Sequence, residues 1–319
     1  MEVLDRLRAL SQRVLARAAD RRVLVVGDVM VDRWVNGEFV KESGELSGRP
    51  CPVIRCPNPQ YALGGAANAA ANLAALGVRT TLVGAIAKDP MGDWMIGACE
   101  ASDIEFWPAR APLTVTKTRV IVADGMALRY DVESGYGDGL DVPFLESRVA
   151  HAMRSSGAQV AVFSDYGKGT LRRSVIEQMC ELPLLVDQKG DDWSVYDGAT
   201  VIKANSQESL EHDKFVERGG VDVRSCKTYK VVTNGAHGMC IELNRNEWVR
   251  VGGLPVPVCN TVGAGDSAMA GLAAAWACGL EPRECVEFAN VVAAASVMLP
   301  GTAAVRPADI AAALGAYGR

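Results

Sequence analysis

The sequence lacks several features that define common functional classes. Its nine cysteines include no C-x-x-C pair, which argues against a zinc site or a disulfide scaffold and predicts reduced thiols. No G-x-G-x-x-G string follows the first predicted strand, so a nicotinamide-dependent oxidoreductase is disfavoured. No apolar run reaches the roughly 20 residues needed to cross a bilayer, and no membrane partner is expected.

An excess of positive charge is also missing. Lys and Arg number 33 against 38 Asp and Glu, so the net charge is −5, which argues against a broad nucleic-acid-binding surface but not against local basic pockets. Segment 1–22 has the pattern of a charged amphipathic helix without an apolar leader stretch, which predicts a cytoplasmic protein. Hydrophobic residues make up 49% of the 319 residues, enough for a large core.

Strand and helix patterns alternate along most of the chain. Apolar strands are predicted at 22–27, 80–87, 160–164, 184–187, 200–203 and 230–233. Helical patterns occupy 64–76, 91–101, 143–155, 171–180, 206–216, 265–278, 283–298 and 307–317. This alternation predicts an α/β fold, with a doubly wound, mostly parallel sheet flanked by helices, as a single domain over 1–319.

Two segments interrupt this alternation, at approximately 33–60 and 112–134. They show β-type alternation without long helices and predict a small β-sheet lid inserted into the main domain. An exposed edge of such a sheet would be available for pairing, so we expect a homodimer formed through the lid.

The most informative string is Gly263-Ala264-Gly265-Asp266. Glycines let the backbone bend tightly enough to aim several N–H groups at one anion, and a helix start adds positive partial charge. A carboxylate beside such an anion hole is unfavourable unless a hydroxyl lies between the two. That arrangement is what phosphoryl transfer to an alcohol requires.

Polar residues also follow other predicted strands, at the sheet edge where doubly wound folds bind ligands. Asp28 and Asp32 are candidates for binding sugar hydroxyls, although a carboxylate that caps a turn is the simpler alternative. Gly64, Gly65 and Asn68 open a predicted helix, where close ligand approach and close helix packing explain the small residues equally well. Further charges at this edge are Asp165 and Lys168, assigned to the substrate, and Lys189, assigned to the nucleotide.

Asn205 and Glu208 are three residues apart and share a helix face. They could hold Mg²⁺ through water and orient a phosphate, or they could form a capping box. The turn 233–238 could hold nucleotide phosphates or form a hairpin turn.

Three cationic residues of the lid segments, Lys117, Arg119 and Arg129, alternate with apolar neighbours and are expected on one face. A basic face on an acidic protein indicates an anionic substrate group such as a phosphate. Solvated surface charge is the alternative.

The strings at 64–68 (Gly-Gly-x-x-Asn), 205–208 (Asn-x-x-Glu) and 263–266 resemble, in this order, those of the ribokinase (PfkB) family of carbohydrate kinases. The resemblance extends over 22–307 and implies transfer of a phosphoryl group from ATP, with Mg²⁺, to a sugar hydroxyl. It implies Asp266 as the catalytic base, the backbone of 263–265 as the anion hole, and Glu208 as a magnesium residue acting through water. The implied nucleotide contacts are Asn205, Thr233, Gly235, Gly238, Asn290 and Ala294, and the implied sugar contacts are Asp32, Gly64, Gly65 and Asn68.

Within this family the strings at 25–32, 116–119, 128–131, 164–169 and 301–302 are similar to those of heptose-7-phosphate kinases. This implies phosphorylation of the anomeric hydroxyl of a small-molecule sugar phosphate, giving a 1,7-bisphosphate. The alternatives are a kinase for a hexose phosphate, ribose, a nucleoside or a cyclitol, and a non-catalytic sugar-binding regulator. Such kinases are often fused to a nucleotidyltransferase domain, for which no residues remain, so a stand-alone kinase is expected.

The chain departs from the family pattern at a few positions. Asn260 stands where an acidic residue is usual, and Val262 where threonine is usual, in a region that helps to shape a monovalent-cation loop. A monovalent cation is therefore left open. Lys203-Ala204-Asn205 replaces the more usual Thr-Pro-Asn, and segment 41–50 departs from the heptose-kinase pattern.

Overall fold

A computed structural model describes residues 2–44, 48, 50–123, 125–133, 139–220, 222, 228–244 and 247–318, apart from the side chains of 126 and 127. Within these ranges, helices flank a nine-stranded sheet, and a second sheet has five strands. The predicted α/β fold with a small additional sheet is confirmed. No helix in this part of the chain is long and apolar enough to span a membrane.

The strands are β1 (Arg22–Gly27), β2 (Val29–Ser43), β3 (Cys51–Arg55), β4 (Pro59–Gly65), β5 (Arg79–Ile86), β6 (Ile104–Arg110), β7 (Thr116–Val122), β8 (Gly125–Val132), β9 (Val160–Ser164), β10 (Leu184–Asp187), β11 (Val201–Asn205), β12 (Tyr229–Thr233), β13 (Met239–Asn244) and β14 (Glu247–Val251). The helices are α1 (Glu2–Ala18), α2 (Ala66–Ala75), α3 (Pro90–Ala101), α4 (Val142–Ser155), α5 (Arg173–Met179), α6 (Ser206–Glu217), α7 (Ala264–Ala277), α8 (Pro282–Ser296) and α9 (Pro307–Tyr317).

The large sheet has the order β14-β13-β12-β11-β10-β9-β1-β5-β6 and is parallel from β12 to β6. The antiparallel pairs within it are β12 with β13 and β13 with β14. One apolar cluster joins the sheet to α1, α2, α7, α8 and α9, and a second joins it to α4 and α5. Because both faces are covered, central strands such as β9 are apolar and buried along their whole length.

Strands β6 and β14, at the two edges of this sheet, were missed by the sequence patterns. In β6 the chain carries Pro108, a residue that usually argues against a strand. An edge strand tolerates proline because one side of it has no ladder partner.

The small sheet has the order β3-β2-β7-β8, with β4 paired to β2. Strand β2 is buried where it begins and exposed where it ends, so it extends from the core into the small sheet. Strand β7 runs parallel to β2, and β8 runs antiparallel to β7. The segments predicted as the lid form this sheet, except for 45–47, 49, 124 and 134, which lie outside the described residues.

Gly64 and Gly65 end β4 instead of opening the helix as predicted, and α2 begins at Ala66. Gly65 has a φ of 58°, and a Cβ there would lie 2.4 Å from the carbonyl oxygen of Asp28. The N–H of Ala66 donates to that same oxygen at 3.0 Å. Close packing of two chain segments therefore accounts for the glycine at 65.

Candidate functional site

Helix α7 begins at Gly263, the N-cap residue, which has a left-handed φ of 80°. A Cβ there would lie 2.7 Å from Nδ2 of Asn68, so the glycine is required for conformation and for space. In the described part of the chain no side chain caps this helix start. The N–H of Ala264 makes a long hydrogen bond of 3.3 Å to the carbonyl oxygen of Thr261. An anion hole formed by the backbone of 263–265 stays a prediction.

Asp266 lies in the first turn of α7 and is only 4% exposed. Its Oδ1 accepts a hydrogen bond from the hydroxyl of Tyr166 at 2.5 Å, and its Oδ2 accepts one from Nδ2 of Asn68 at 2.8 Å. Burial raises the pKa of Asp266 to about 7, although these two hydrogen bonds pull it down. A carboxyl group with this pKa is suited to accept a proton near neutral pH.

A chain of amides fixes the orientation of Asn68. The backbone N–H of Val305 donates to Oδ1 of Asn72 at 3.0 Å, and Nδ2 of Asn72 donates to Oδ1 of Asn68 at 3.0 Å. The oxygen of Asn68 is thereby used, and its NH₂ is directed at Asp266. Sequence reasoning missed Asn72, although its spacing of four residues from Asn68 in an alanine-rich helix was a usable signal.

Asp32 and Arg119 form a buried ion pair, with 2.6 Å between Nη1 and Oδ1. Oδ2 of Asp32 accepts a hydrogen bond from the hydroxyl of Thr302 at 2.9 Å, and the Arg119 guanidinium lies 5.0 Å from the ring centre of Trp34. Asp32 thus balances the charge of Arg119, and the assignment of Arg119 to the substrate stays a prediction.

Lys117, Arg119 and Arg129 do lie on one face of the small sheet, since β7 and β8 pair residue 119 with 129 and residue 117 with 131. Arg129 donates two hydrogen bonds to Asp131, at 3.0 and 2.8 Å. Lys168 pairs with Glu133 at 2.6 Å. Within the described ranges Lys117 has no carboxylate at ion-pair distance, and burial together with Lys168 and Arg129 lowers its pKa. The assignment of Lys117 to a substrate anion stays a prediction that these contacts leave open.

Asp28 is fully buried and serves the backbone of a neighbouring loop. Its Oδ2 accepts the N–H groups of Tyr166 and Lys168, both at 2.9 Å, and its Oδ1 accepts the hydroxyl of Thr170 at 2.5 Å. The simpler interpretation, a carboxylate that caps a turn, therefore replaces its assignment to sugar hydroxyls. Asp28 instead holds the loop that carries Tyr166.

Asp165 is likewise directed inward. Its Oδ2 accepts the hydroxyl of Tyr196 at 2.6 Å, and its Oδ1 accepts the N–H of Gly167 at 2.7 Å. Burial raises the pKa of Asp165. Asp165 also lines a charged cleft together with Tyr166 and Asp187, so its assignment to the substrate stays a prediction.

Two clefts meet at the start of α7, one charged and of about 540 Å³, the other apolar and of about 600 Å³. Residues lining both are Thr233, Gly235, Thr261, Ala264 and Gly265. The charged cleft adds Asp187, Lys189, Lys203, Asn205 and Glu208, and the apolar cleft adds Gly238, Met239, Leu254, Val256, Asn290 and Ala294. Such a pair of clefts suits a ligand with a polyanionic end and a flat apolar end.

Asn205 and Glu208 form the capping box of α6, as the structural alternative predicted. Oδ1 of Asn205 accepts the N–H of Glu208 at 2.9 Å, and Oε2 of Glu208 accepts the N–H of Asn205 at 2.9 Å. Oε1 of Glu208 faces Nζ of Lys189 at 3.3 Å. Among the residues with assigned positions, no three Asp, Glu, His or Cys side chains gather into a metal site. One carboxylate at the rim still fits Mg²⁺, which keeps several waters and is usually shared with phosphate oxygens.

Lys203 is a buried cation under the start of α7 that sequence reasoning did not assign. Its Nζ lies 2.7 Å from Oδ1 of Asp187 and 3.6 Å from where a Cβ of Gly265 would be. Burial raises the pKa of Asp187, while Lys203 lowers it. The unusual Lys203-Ala204-Asn205 string was the available signal.

The turn between β12 and β13 connects an antiparallel pair, so the hairpin alternative describes its backbone. Gly238 has a φ of 89°, and a Cβ there would lie 2.2 Å from the carbonyl oxygen of Val251. Asn290 uses its Nδ2 to donate to the carbonyl oxygen of Gly252 at 2.9 Å. Both residues thereby shape the wall of the apolar cleft.

Comparisons with known proteins agree with this geometry. The model of the pfkB family carbohydrate kinases matches residues 20–126 and 196–309. The bifunctional protein HldE of Caulobacter vibrioides is 32% identical over 92% of this chain and 63% of its own length, and that of Hahella chejuensis is 34% identical over 91% and 62%. The chain thus spans less than two thirds of the length of these curated relatives.

Solved structures share the fold at lower identity. Phosphofructokinase-2 from Escherichia coli in complex with potassium has a TM-score of 0.71 at 19% identity, covering 94% of this chain and 99% of that one. Ribokinase from Arabidopsis thaliana, complexed with ribose and ATP, has a TM-score of 0.66 at 19% identity, covering 92% and 98%.

Proposed function

The chain belongs to the pfkB family of carbohydrate kinases, and from this premise we propose that it phosphorylates the anomeric hydroxyl of a heptose 7-phosphate with ATP, giving the 1,7-bisphosphate. The observation that carries the proposal is the position of Asp266. This carboxyl group has a pKa near 7 and lies in the first turn of the helix at which the charged and apolar clefts meet.

In the proposed reaction, Asp266 accepts the proton of the attacking hydroxyl. The backbone N–H groups at the start of α7 stabilise the negative charge that develops on the transferring phosphoryl group. An anomeric hydroxyl is more acidic than other sugar hydroxyls, and in a loose transition state the proton can move late, so a base of pKa about 7 suffices.

The two clefts suggest how ATP would lie. The adenine would occupy the apolar cleft beside Ala294. The phosphates would extend past Thr233 and Gly235, which line both clefts, towards Lys189 in the charged cleft. Mg²⁺ bound with the nucleotide would neutralise phosphate charge, and Glu208 would hold it through water. Asn205 would keep Glu208 in place through the capping box.

The sugar would lie between Asp266 and the basic face of the small sheet. Lys117 would bind the 7-phosphate, because the neighbouring Lys168 and Arg129 are already paired with Glu133 and Asp131. Asn68 and Asp32 would border the sugar on the side of α2 and β2. The heptose itself is inferred from the resemblance of the strings 25–32, 116–119 and 164–169.

The test is a screen of ATP consumption with heptose 7-phosphates, hexose phosphates, ribose, nucleosides and cyclitols as acceptors. We expect the highest kcat/KM with a heptose 7-phosphate. A higher value with another acceptor would reassign the substrate within the family. Binding of a sugar phosphate without ADP release from any acceptor would favour the non-catalytic regulator.

We also propose that two copies associate through the small sheet. Strand β8 is an edge strand of this sheet, and it exposes alternate apolar residues on the face opposite Arg129. Leu128, Tyr130 and Val132 are 53%, 43% and 49% exposed. An unpaired edge that carries such residues is suited to pairing with a second copy.

A monovalent cation, which the sequence left open for the loop before α7, is not part of the proposed reaction. A side-chain amide fills the place where this loop meets two carbonyl groups.

A further inference from the structure

Two backbone carbonyl groups converge on the side chain of Asn260. Its Nδ2 donates to the carbonyl oxygen of Leu299 at 2.6 Å and to that of Gly301 at 3.0 Å. Its Oδ1 accepts the N–H of Val262 at 2.8 Å. These three contacts fix the orientation of the amide, because carbonyl oxygens accept only from the NH₂ and an N–H donates only to the oxygen.

This amide connects the loop before α7 with the segment that follows α8. Asn260 lies three residues before Gly263, the N-cap of α7, while Leu299 and Gly301 follow α8. The methyl Cγ2 of Thr302 lies 3.2 Å from where a Cβ of Gly263 would be. The hydroxyl of the same Thr302 donates to Asp32. The Asn260 contacts therefore set the helix start against the residues on the sugar side.

Converging carbonyl oxygens are typical ligands of potassium and sodium ions. Here a neutral NH₂ group supplies the positive partial charge that these oxygens need, with one proton for each. An ion placed between them would have to displace Nδ2 and leave Asn260 without its partners. An aspartate at the same position would instead turn an oxygen towards two oxygens, and a bound cation would relieve the repulsion.

We propose that the NH₂ group of Asn260 takes the place of a monovalent cation between the carbonyl oxygens of Leu299 and Gly301. The stability of the fold and the rate of phosphoryl transfer are then independent of potassium and sodium. Asn260 is thus a positioning residue for the start of α7. The statement on phosphoryl transfer rests on the proposed kinase function, whereas the statement on the fold does not.

The first experiment compares the unmodified protein in KCl, NaCl and tetramethylammonium chloride at one ionic strength of about 0.1 M. We expect the same Tm in the three salts and rates of ATP consumption, with the best acceptor from the screen, that agree within about twofold. A Tm that is clearly higher in KCl than in tetramethylammonium chloride would overturn the proposal. So would a rate that is several times higher in KCl. If no acceptor is phosphorylated, the Tm series still decides the claim on the fold.

The second experiment introduces a need for the ion. Asn260→Asp should lower the Tm and reduce the rate roughly tenfold in tetramethylammonium chloride, as expected for two acceptors that lose their donor. KCl should restore the Tm and the rate. Asn58→Asp, which adds the same charge on an exposed loop, should behave like the unmodified protein in every salt. An Asn260→Asp protein that is as stable as the unmodified one and insensitive to potassium would contradict the proposal.

Discussion

The hydroxyl of Tyr166 donates a 2.5 Å hydrogen bond to Oδ1 of Asp266, the carboxylate oxygen on one side of the proposed base. Burial and the negative charge of Asp266 raise the pKa of Tyr166 well above its usual value, so the phenol stays protonated and remains a donor. Asn68 holds the other oxygen. An acceptor hydroxyl must therefore approach a carboxylate that two donors already orient.

Asp266→Asn should lower kcat by about 10²–10⁴, the range expected when a general base is removed. A coupled assay of ADP release measures it. Asp93→Asn, a matched change at an exposed position in the first turn of α3, should leave kcat unchanged. Turnover of the Asp266→Asn protein close to that of the original would contradict the role of this residue.

The acid side of the pH profile should report the titration of Asp266. The carboxylate is the active form, so kcat/KM should fall as pH decreases through a pKa of about 7. The Tyr166 hydrogen bond lowers this pKa, and Tyr166→Phe should therefore move the limb to higher pH. An apparent pKa on the acid side of the kcat/KM profile that matches an ordinary aspartate in both proteins would rule out this interpretation.

Lys117→Ala should raise the KM for the sugar phosphate about 10- to 100-fold, because a charge-assisted contact to the phosphate is lost. The KM for ATP should not change, and the exposed Lys88→Ala serves as the control.

Arg119→Ala should act differently: it leaves the buried Asp32 unpaired and should lower the Tm. An unchanged KM for the sugar phosphate in the Lys117→Ala protein would remove Lys117 from the substrate site.

Asp28→Asn should lower the free energy of unfolding by about 1–3 kcal/mol. One carboxylate oxygen would be replaced by an NH₂ group, which cannot accept the N–H or O–H groups that Asp28 binds in the unmodified protein. Denaturant unfolding measures the loss. Since these donors belong to the loop that carries Tyr166, kcat should fall as well. The exposed Asp20→Asn is the control, and equal stability of the two variants would show that the buried contacts contribute nothing.

Leu128→Lys should separate the proposed dimer into monomers, because it places charge on the exposed apolar face of the edge strand. Sedimentation or light scattering over a concentration series measures the change. Lys41→Glu, at an exposed position on strand β2, is the control for a change in the charge of the small sheet. A monomer in the unmodified protein at every concentration would refute association through β8.

The central strands could be predicted from sequence because a sheet covered on both faces needs continuous apolar runs, as in β1 and β9. The start of α7 was equally visible in the glycine-rich string, in which the left-handed φ of Gly263 and its contact with Asn68 require glycine. The edge strands β6 and β14 were missed because only one neighbour specifies each of them.

Side-chain partners across long sequence separations could not be predicted. Whether Arg119 was free depended on the parallel pairing of β7 with β2, which brings Asp32 beside it. Asp28 and Asp32 looked equivalent in the sequence, yet one serves a loop backbone and the other a guanidinium. The role of Tyr166 depended on the packing of its loop against α7, which no local pattern encodes.

Strand β2 is a single unbroken strand from the buried Val29 to the half-buried Ser43, and Asp32 and Trp34 lie along it. Because β2 is continuous, no loop within it could serve as a hinge, and we expect motion of the small sheet to twist or bend this strand. Such flexure would be transmitted along the backbone to Asp32, and through Thr302 to the neighbourhood of Gly263. In the proposed reaction, a sugar phosphate that bends β2 when it binds at the small sheet would therefore also shift the reacting groups.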